Sequence, residues 1–256
     1  MTTPRRLVGR IALVTGGSNG QGAAHTRRLA QEGAIVYFSD IDTSAGAALE
    51  ATLRAENLDV HFRKHDVSDF QAWQDILAEI DTEHGRLDIL VNNAGIADIY
   101  TAEDATEESW QRIVDINQKS IFLSFKAAVP LLRKSKSASV INTSSIFGLV
   151  GADGYIAYVA SKGAVTLMTK STAITYGREG IRVNSIHPGY IATPMLEEEL
   201  ADLGDGAEER ILATIPLGRF SSAEEISGAV AFLASDDASY ITGAELLIDG
   251  GHLAGR

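Results

Sequence analysis

The sequence predicts an α/β protein, a doubly wound parallel sheet of about seven strands with helices on both faces, formed as a single domain. Short, nearly continuous apolar runs alternate with longer segments whose apolar residues recur every three or four positions. That is the pattern of strands buried on both faces between amphipathic helices. The first apolar run ends in a glycine-rich turn that opens a helix. No linker, repeat or low-complexity tract divides the 256 residues, a length that one large α/β domain can fill.

Composition narrows the class. With 45% hydrophobic residues, 24 Gly and only 5 Pro, the chain has ample material for a buried core. It contains no Cys, which excludes disulfides and thiolate metal sites and fits a reducing, cytoplasmic compartment. The six His are scattered, and His61 and His65 fall four apart on an extended segment, so no metal site is expected. A formal charge of -12 opposes nucleic-acid binding and argues against docking to an acidic carrier. Arg5, Arg6 and Arg10 precede an apolar run that turns straight into Thr15-Gly16-Gly17, a buried strand rather than a signal peptide. No stretch reaches membrane-spanning length.

Arg10 to Thr15 is the first strand, followed by Gly16-Gly17-Ser18-Asn19-Gly20-Gln21-Gly22 and a helical pattern from Ala23 to Glu32. Strand, glycine turn and helix together aim free backbone N–H groups at a phosphate. The same residues match the G-x-S-x-G elbow of serine hydrolases, with Ser18 as nucleophile and His187 or His252 as base. That reading is disfavoured: the elbow usually follows several strands, and it leaves Gly22, Asp40 and a Tyr158/Lys162 pair without a role. Ala34 to Ser39 is the second strand, and Asp40 stands at its end, eighteen residues after Gly22. A carboxylate there accepts both adenosine ribose hydroxyls of NAD and repels a 2′-phosphate. Neither Ile41 nor Asp42 supplies an Arg, and Asn19 is uncharged, so NAD is expected over NADP. The plainer alternative is that Asp40 or Asp42 caps the helix starting near Thr43.

The third strand, Val60 to Lys64, leads to Asp66-Val67, placed to meet an adenine ring, or in the case of Asp66 to cap a helix from Ser68 to His84. The fourth strand, Leu87 to Val91, ends in Asn92-Asn93-Ala94-Gly95. Small residues there admit a flat ligand, and Asn amides can tie strand ends together. One helix is expected through Trp110 to Arg133, and a fifth strand, Ala138 to Thr143, delivers Ser144 and Ser145 at the edge where open α/β sheets bind ligands.

Ile156 to Tyr176 reads as one helix carrying Tyr158 and Lys162, four apart and so on one face. A cation beside a tyrosine favours the phenolate and lowers its pKa from about 10 towards the range useful for proton transfer. Such a pair alone is usually a surface feature. The sixth strand, Ile181 to Ile186, runs into His187-Pro188-Gly189-Tyr190-Ile191-Ala192-Thr193-Pro194. Met195 to Ile215 reads as irregular and acidic, part of a lid spanning about 189–215 with a solvated outer face. A helix from Ala223 to Leu233 and a strand from Glu245 to Ile248 complete the sheet.

Thr15-Gly16-x-x-x-Gly20-x-Gly22, Asn92-Asn93-Ala94-Gly95, Ser145 and Tyr158-x-x-x-Lys162 occur in order across nearly the whole chain. Together they resemble the short-chain dehydrogenase/reductase family, in its single-domain, NAD-preferring branch with a Rossmann-type fold. The resemblance implies hydride transfer between nicotinamide and a carbinol or carbonyl carbon. Tyr158 would exchange the hydroxyl proton, Ser145 would hold the reacting oxygen, and Lys162 would acidify Tyr158 and bind the nicotinamide ribose. Asn117 would hold a water linking Lys162 to solvent; Ser120 stands where the family often has Gly, and is small enough to keep the packing.

For the cofactor, the resemblance implies contacts from Gly16, Ser18, Asn19, Gly20, Gln21 and Gly22, then from Asp40, Ile41, Asp66 and Val67. Asn93, Ala94, Gly95 and Thr143 would follow, with Tyr158 and Lys162, and Pro188, Gly189, Ile191 and Thr193 would lie at the nicotinamide end. It also implies a homotetramer, with the helices near Asn117 and Tyr158 and the last strand at interfaces. Ile96, Ile99, Ile146, Phe147, Leu149, Tyr155, Tyr190, Met195 and Leu196 form a mostly apolar candidate substrate pocket. No Arg or Lys is evidently placed in it to grip a carboxylate or phosphate. The expected substrate is therefore an apolar secondary alcohol or ketone, cyclic, terpenoid or steroid-like. A 3-oxoacyl-thioester reductase using NADPH is the alternative, disfavoured by Asp40 and the acidic balance. A non-catalytic cofactor sensor is disfavoured because Tyr158 and Lys162 are both present.

Overall fold

The structure, a computed structural model, describes residues 5–255. Seven strands form one parallel sheet: β1 (Ile11–Thr15), β2 (Ile35–Asp40), β3 (Val60–Lys64), β4 (Ile89–Asn92), β5 (Ala138–Thr143), β6 (Ile181–Pro188) and β7 (Glu245–Ile248). Their order is β3-β2-β1-β4-β5-β6-β7. The chain winds outward from β1 to β3, then returns to β4 on the other side of β1. That reversal opens a crevice at the carboxyl ends of β1 and β4, where a ligand can enter an open sheet.

Continuous apolar strands are explained by the two cores. Ala12 and Val14 of β1 face a cluster shared with α1 (Gly20–Gln31), α2 (Thr43–Ala55) and, at the far end of the chain, a helix at Ala223–Ala234. Ile11 and Leu13 face the opposite cluster, shared with α3 (Phe70–His84) and two long helices further on. Successive strand residues point to opposite faces, so both registers of β1 must be apolar.

Three expectations about elements need correction. The helix expected through Trp110 to Arg133 begins earlier, as α4 (Glu107–Ile113), passes through a π-helical turn at Val114–Lys119 and continues as α5 (Ser120–Leu132). Apolar spacing does not reveal such a turn, because its wider winding shifts phase by only one residue. The helix expected from Ser68 begins at Phe70, because Asp69 accepts from the N–H of Gln71 and takes the cap. Asp66 instead accepts from the N–H and hydroxyl of Ser68. Beyond α6 (Ile156–Tyr176), the segment read as irregular holds two helices, α7 (Pro194–Leu203) and α8 (Ala207–Leu212), before α9 (Ala223–Ala234). Pro194 is at the first position of α7, where a missing N–H costs nothing.

Candidate active site

The glycine turn is fixed by contacts no side chain would permit. Gly16 has φ +60°, and a Cβ on it would come within 2.9 Å of Ala94 Cα; one on Gly22 would lie 1.9 Å from Gly16 O. The turn therefore packs directly on the strand end at Ala94 and leaves the N-terminus of α1 open. Thr15 and Asn93 hold the two strand ends in register. Thr15 Oγ1 accepts from the N–H groups of Asn93 and Ala94, at 3.0 and 3.1 Å. Asn93 Nδ2 donates back to the carbonyls of Thr15 and Gly16, and Asn92 Nδ2 donates to Asn142 Oδ1 at 2.8 Å. Tying of strand ends by Asn amides is thus observed on both sides of β4.

Asp40 ends β2, half-buried. Its carboxylate accepts from the N–H of Ser18 at 3.2 Å and of Asp42 at 3.1 Å. The helix cap belongs to Asp42, which accepts from Ala45. Lys64, beside Asp40 in the sheet register, is exposed, and it lies outside the cleft lining.

The cleft has a volume of about 510 Å³ and runs from Asp40 past Gly95 to Leu196. Of the residues expected to hold the cofactor, all but Ser18 line it. Ser18 is buried under the turn, and its hydroxyl has no hydrogen-bond partner among the described residues. The hydrolase reading fails with it, since among the described residues no histidine meets that hydroxyl. His187 Nδ1 donates to the carbonyl of Ser145 at 2.8 Å, which makes Nε2 the acceptor of the Ser185 hydroxyl at 2.9 Å. His252 Nδ1 lies 2.9 Å from Thr214 Oγ1.

At the far end, α6 brings Tyr158 and Lys162 to the strand ends of β4 and β5. Lys162 Nζ donates to the carbonyl of Thr143 at 2.9 Å and lies 5.6 Å from the centre of the Tyr158 ring. Burial pushes Lys162 down to about 8. Burial also pushes Tyr158 up to about 12, against a lowering by its hydrogen bond with Ser145. Burial thus works against the acidification of Tyr158 expected from Lys162, whose ammonium donates to a strand carbonyl. Ser144 faces away, its hydroxyl bonded to Lys162 O and Thr166 Oγ1, both at 3.0 Å. Ser145 faces the cleft, its hydroxyl accepting from the N–H of Phe147 at 3.1 Å.

Asn117 sits in the π-helical turn, fully buried and outside the cleft lining. Its Oδ1 accepts from the N–H of Ile96 at 2.9 Å, and its Nδ2 donates to Ile96 O at 2.8 Å and Ser161 Oγ at 3.1 Å. One amide hydrogen thus holds the loop after β4, and the other ties the turn to α6. Only Gly95 separates it from Lys162: a Cβ there would meet Lys162 Nζ at 3.3 Å and Asn117 Oδ1 at 3.4 Å.

Phe147, Tyr155 and Tyr190 form an aromatic wall, with Phe147 ring centres 5.4 Å from Tyr155 and 6.2 Å from Tyr190. Leu196 is buried in the cleft and Met195 lines its mouth. Two candidate pocket residues fall elsewhere: Ile99 lines a neighbouring cavity of about 440 Å³, and Leu149 is exposed. Three charged or titratable residues lining the cleft escaped sequence reasoning: His65 at the adenosine end, and Arg112 and Glu199 at the other. Arg112 corrects the expectation that no cation approaches the pocket; on α4 it also faces Asp98, whose carboxyl is raised by burial and lowered by the Arg112 charge. Four-residue spacing on α7 from Met195 to Glu199 was the signal available for the carboxylate.

A dinucleotide fits this cleft on the structure's own terms. The turn is closed to any Cβ at Gly16 and Gly22, while Gln21 Oε1 and Thr143 Oγ1 are buried along it with no hydrogen-bond partner among the described residues. Gln21 would serve the phosphate end, Asp40 the adenosine ribose, and Thr143 and Lys162 the nicotinamide end. Fold and site together define an oxidoreductase acting on CH–OH groups. A family model described as enoyl-(acyl carrier protein) reductase matches residues 16–252, and the chain belongs to the short-chain dehydrogenase/reductase family. It is 44% identical over 249 residues to the cyclopentanol dehydrogenase of Comamonas testosteroni, covering 97% of this chain and 99% of that one. It is 44% identical over 250 residues to the 3-alpha-(or 20-beta)-hydroxysteroid dehydrogenase of Mycobacterium tuberculosis (strain ATCC 25618 / H37Rv), covering 98% and 92%. A crystal structure of levodione reductase superposes with a TM-score of 0.93 at 34% identity, covering 98% of this chain and all of that one.

Proposed function

We propose that this protein is an NAD-dependent dehydrogenase/reductase of apolar cyclic secondary alcohols and their ketones. The observation that carries the reading is the convergence of Tyr158, Ser145 and Lys162 on one aromatic-walled end of a cleft whose other end carries Asp40, with no Lys or Arg among the described residues lining that end. Relatives named for cyclopentanol and hydroxysteroids support the choice of ring alcohols. Bound there, the nicotinamide supplies the hydride acceptor for oxidation and the donor for reduction.

Tyr158 takes the proton of the substrate hydroxyl in oxidation and returns it in reduction. Burial pushes its phenol up to about 12; the phenol is the acid in reduction, and the phenolate is the base in oxidation. Ser145 hydrogen-bonds the reacting oxygen, where charge develops. Lys162, held to Thr143 O, binds the nicotinamide ribose and connects the site to solvent. Asn117 positions the β4 loop beside Lys162. α7 and α8 form the lid, and the exposed Phe122, Leu167 and Ile174 on α5 and α6 serve contacts between copies in a homotetramer. No helix among the described residues is long and apolar enough to cross a membrane, and a cysteine-free chain suits the reducing cytoplasm.

The test is a panel of cyclic and linear secondary alcohols offered with NAD or NADP, followed by nicotinamide absorbance. Cyclopentanol and cyclohexanol should be oxidised with NAD in preference to NADP. Turnover of none of them would overturn the activity, and a preference for NADP would overturn the role of Asp40.

A further inference from the structure

We infer that Glu199 receives a second hydroxyl of the substrate, so that the rings this site takes best are diols and hydroxyketones. The inference rests on the dehydrogenase reading of the same cleft and narrows its substrate class.

Glu199 lies on the face of α7 that carries Met195 and Leu196, so the helix turns it into the cleft. Its neighbours Glu197, Glu198 and Asp202 are exposed and solvated, whereas Glu199 is half-buried between Leu196 and Tyr155. A carboxylate in an apolar wall ordinarily takes a Lys or Arg as partner. Among the described residues no such ion pair forms, although Arg112 lines the same cleft. What it has is one neutral donor, the hydroxyl of Tyr155 at 2.6 Å to Oε1. Burial raises the carboxyl and this hydrogen bond lowers it. A carboxylate has two oxygens and about four acceptor sites, so most of its capacity is left for a ligand in the cleft or the neighbouring cavity, both of which Glu199 lines.

The opposite side of that space is Tyr158. The rings of Tyr155 and Tyr158 are 6.4 Å apart, near edge-on, and the Glu199 charge reaches far enough to help raise Tyr158. A small ring whose reacting oxygen lies at Tyr158 and Ser145 therefore presents its far side to Glu199 and Tyr155. A hydroxyl there donates to the carboxylate. An ether oxygen, ketone or carboxylate brings lone pairs against lone pairs and loses the interaction. An ammonium would also donate, but shares the cleft with the Arg112 guanidinium, which opposes it.

The experiment compares kcat/KM for 4-hydroxycyclohexanone, 4-methoxycyclohexanone and cyclohexanone with reduced cofactor, in the wild type, Glu199→Gln and Tyr155→Phe. The methoxy compound keeps the oxygen and removes the donor. Wild type should favour the hydroxyketone over the methoxyketone by about tenfold or more, the discrimination of one hydrogen bond to a charged group. Glu199→Gln keeps the shape and loses the charge, and should cut that ratio to about threefold or less. Tyr155→Phe should keep or raise it, because Glu199 then has no protein donor. A helix that merely packs better with Glu199 would lower all three substrates together and leave the ratio alone. Reduction of all three ketones without preference, or a preference that survives Glu199→Gln, overturns this inference alone. Reduction of none overturns the dehydrogenase reading beneath it.

Discussion

At the adenosine end of the cleft the chain presents backbone and glycine: Gly16 and Gly22 against Ala94 and each other, with Asp40 held by two N–H groups. At the other end it presents titratable side chains, Lys162 and Tyr155 buried and Tyr158 and Glu199 half-buried. The first end is a shape, set by what a Cβ would strike. The second is an electrostatic balance, set by how much water each group has lost. A shape tolerates few substitutions but needs no particular pH, whereas a balance shifts with every charge added or removed. Recognition and chemistry are thus separated along one cleft.

The largest effect should come from the electrostatic end. Tyr158→Phe removes the proton exchanged with the substrate and leaves the glycine turn and Asp40 in place. Turnover should fall by about 10²- to 10⁴-fold or more, while NAD affinity, read by fluorescence titration, stays near that of the wild type. Near-normal turnover in that variant would sink the assigned role. Oxidation by the wild type should also accelerate as pH rises, because a phenol pushed up to about 12 gains phenolate throughout the alkaline range.

A smaller change is expected at the shape end. Asp40→Asn keeps the outline of the side chain and one acceptor oxygen for Ser18 or Asp42, but removes the charge proposed to face a ribose. The ratio of kcat/KM with NAD to that with NADP should fall by about tenfold or more, the difference one charged hydrogen bond makes. Thermal unfolding of the variant separates this from damage to the turn. An unchanged ratio in a folded variant would show that the carboxylate serves only Ser18 and Asp42.

How far the sequence could be read follows the same division. The glycine turn and the fold were legible because each depends on residues close in the chain or on strand periodicity, and the Asn ties because Asn92 and Asn93 stand at a strand end. Tyr158 and Lys162 were legible as neighbours for the same reason. The carbonyl that holds the ammonium was not: helical spacing sets the distance between two side chains but not their direction, and Thr143 O is delivered by β5. Arg112 and Glu199 were missed because each lines the cleft only through the way α4 and α7 pack against it. Asn117 was identified, yet the π-helical turn that buries it and its staple to Ile96 have no periodic signature.

The smallest effect concerns stability, and here the two ends respond at opposite extremes of pH. His25 of α1 is buried under the dinucleotide half with Nδ1 on Ser227 Oγ at 3.1 Å and Nε2 without a partner, and burial pushes it down from 6.5 to about 3. His65, edge-on to Trp73, is pushed down to about 4. Each binds fewer protons in the native state than in the unfolded chain, so acid favours unfolding: their stabilisation is complete above about pH 6.5 and is lost as pH falls towards 4 and 3. At the catalytic end Lys162 is also pushed down, so the native state gains on the unfolded between about 8 and 10.5. Tyr158 is pushed up, so that gain reverses between 10 and about 12. His25→Leu should therefore remove about 1.4 kcal/mol per pH unit from the acid slope below pH 6, one histidine's share, and leave the alkaline limb untouched. Denaturant melts at pH 4.5, 5.5 and 7 measure it. If the slope of His25→Leu matches the wild type, the histidine charges in the native state and the dinucleotide half is less tightly closed around it than the packing of α1 on α9 indicates.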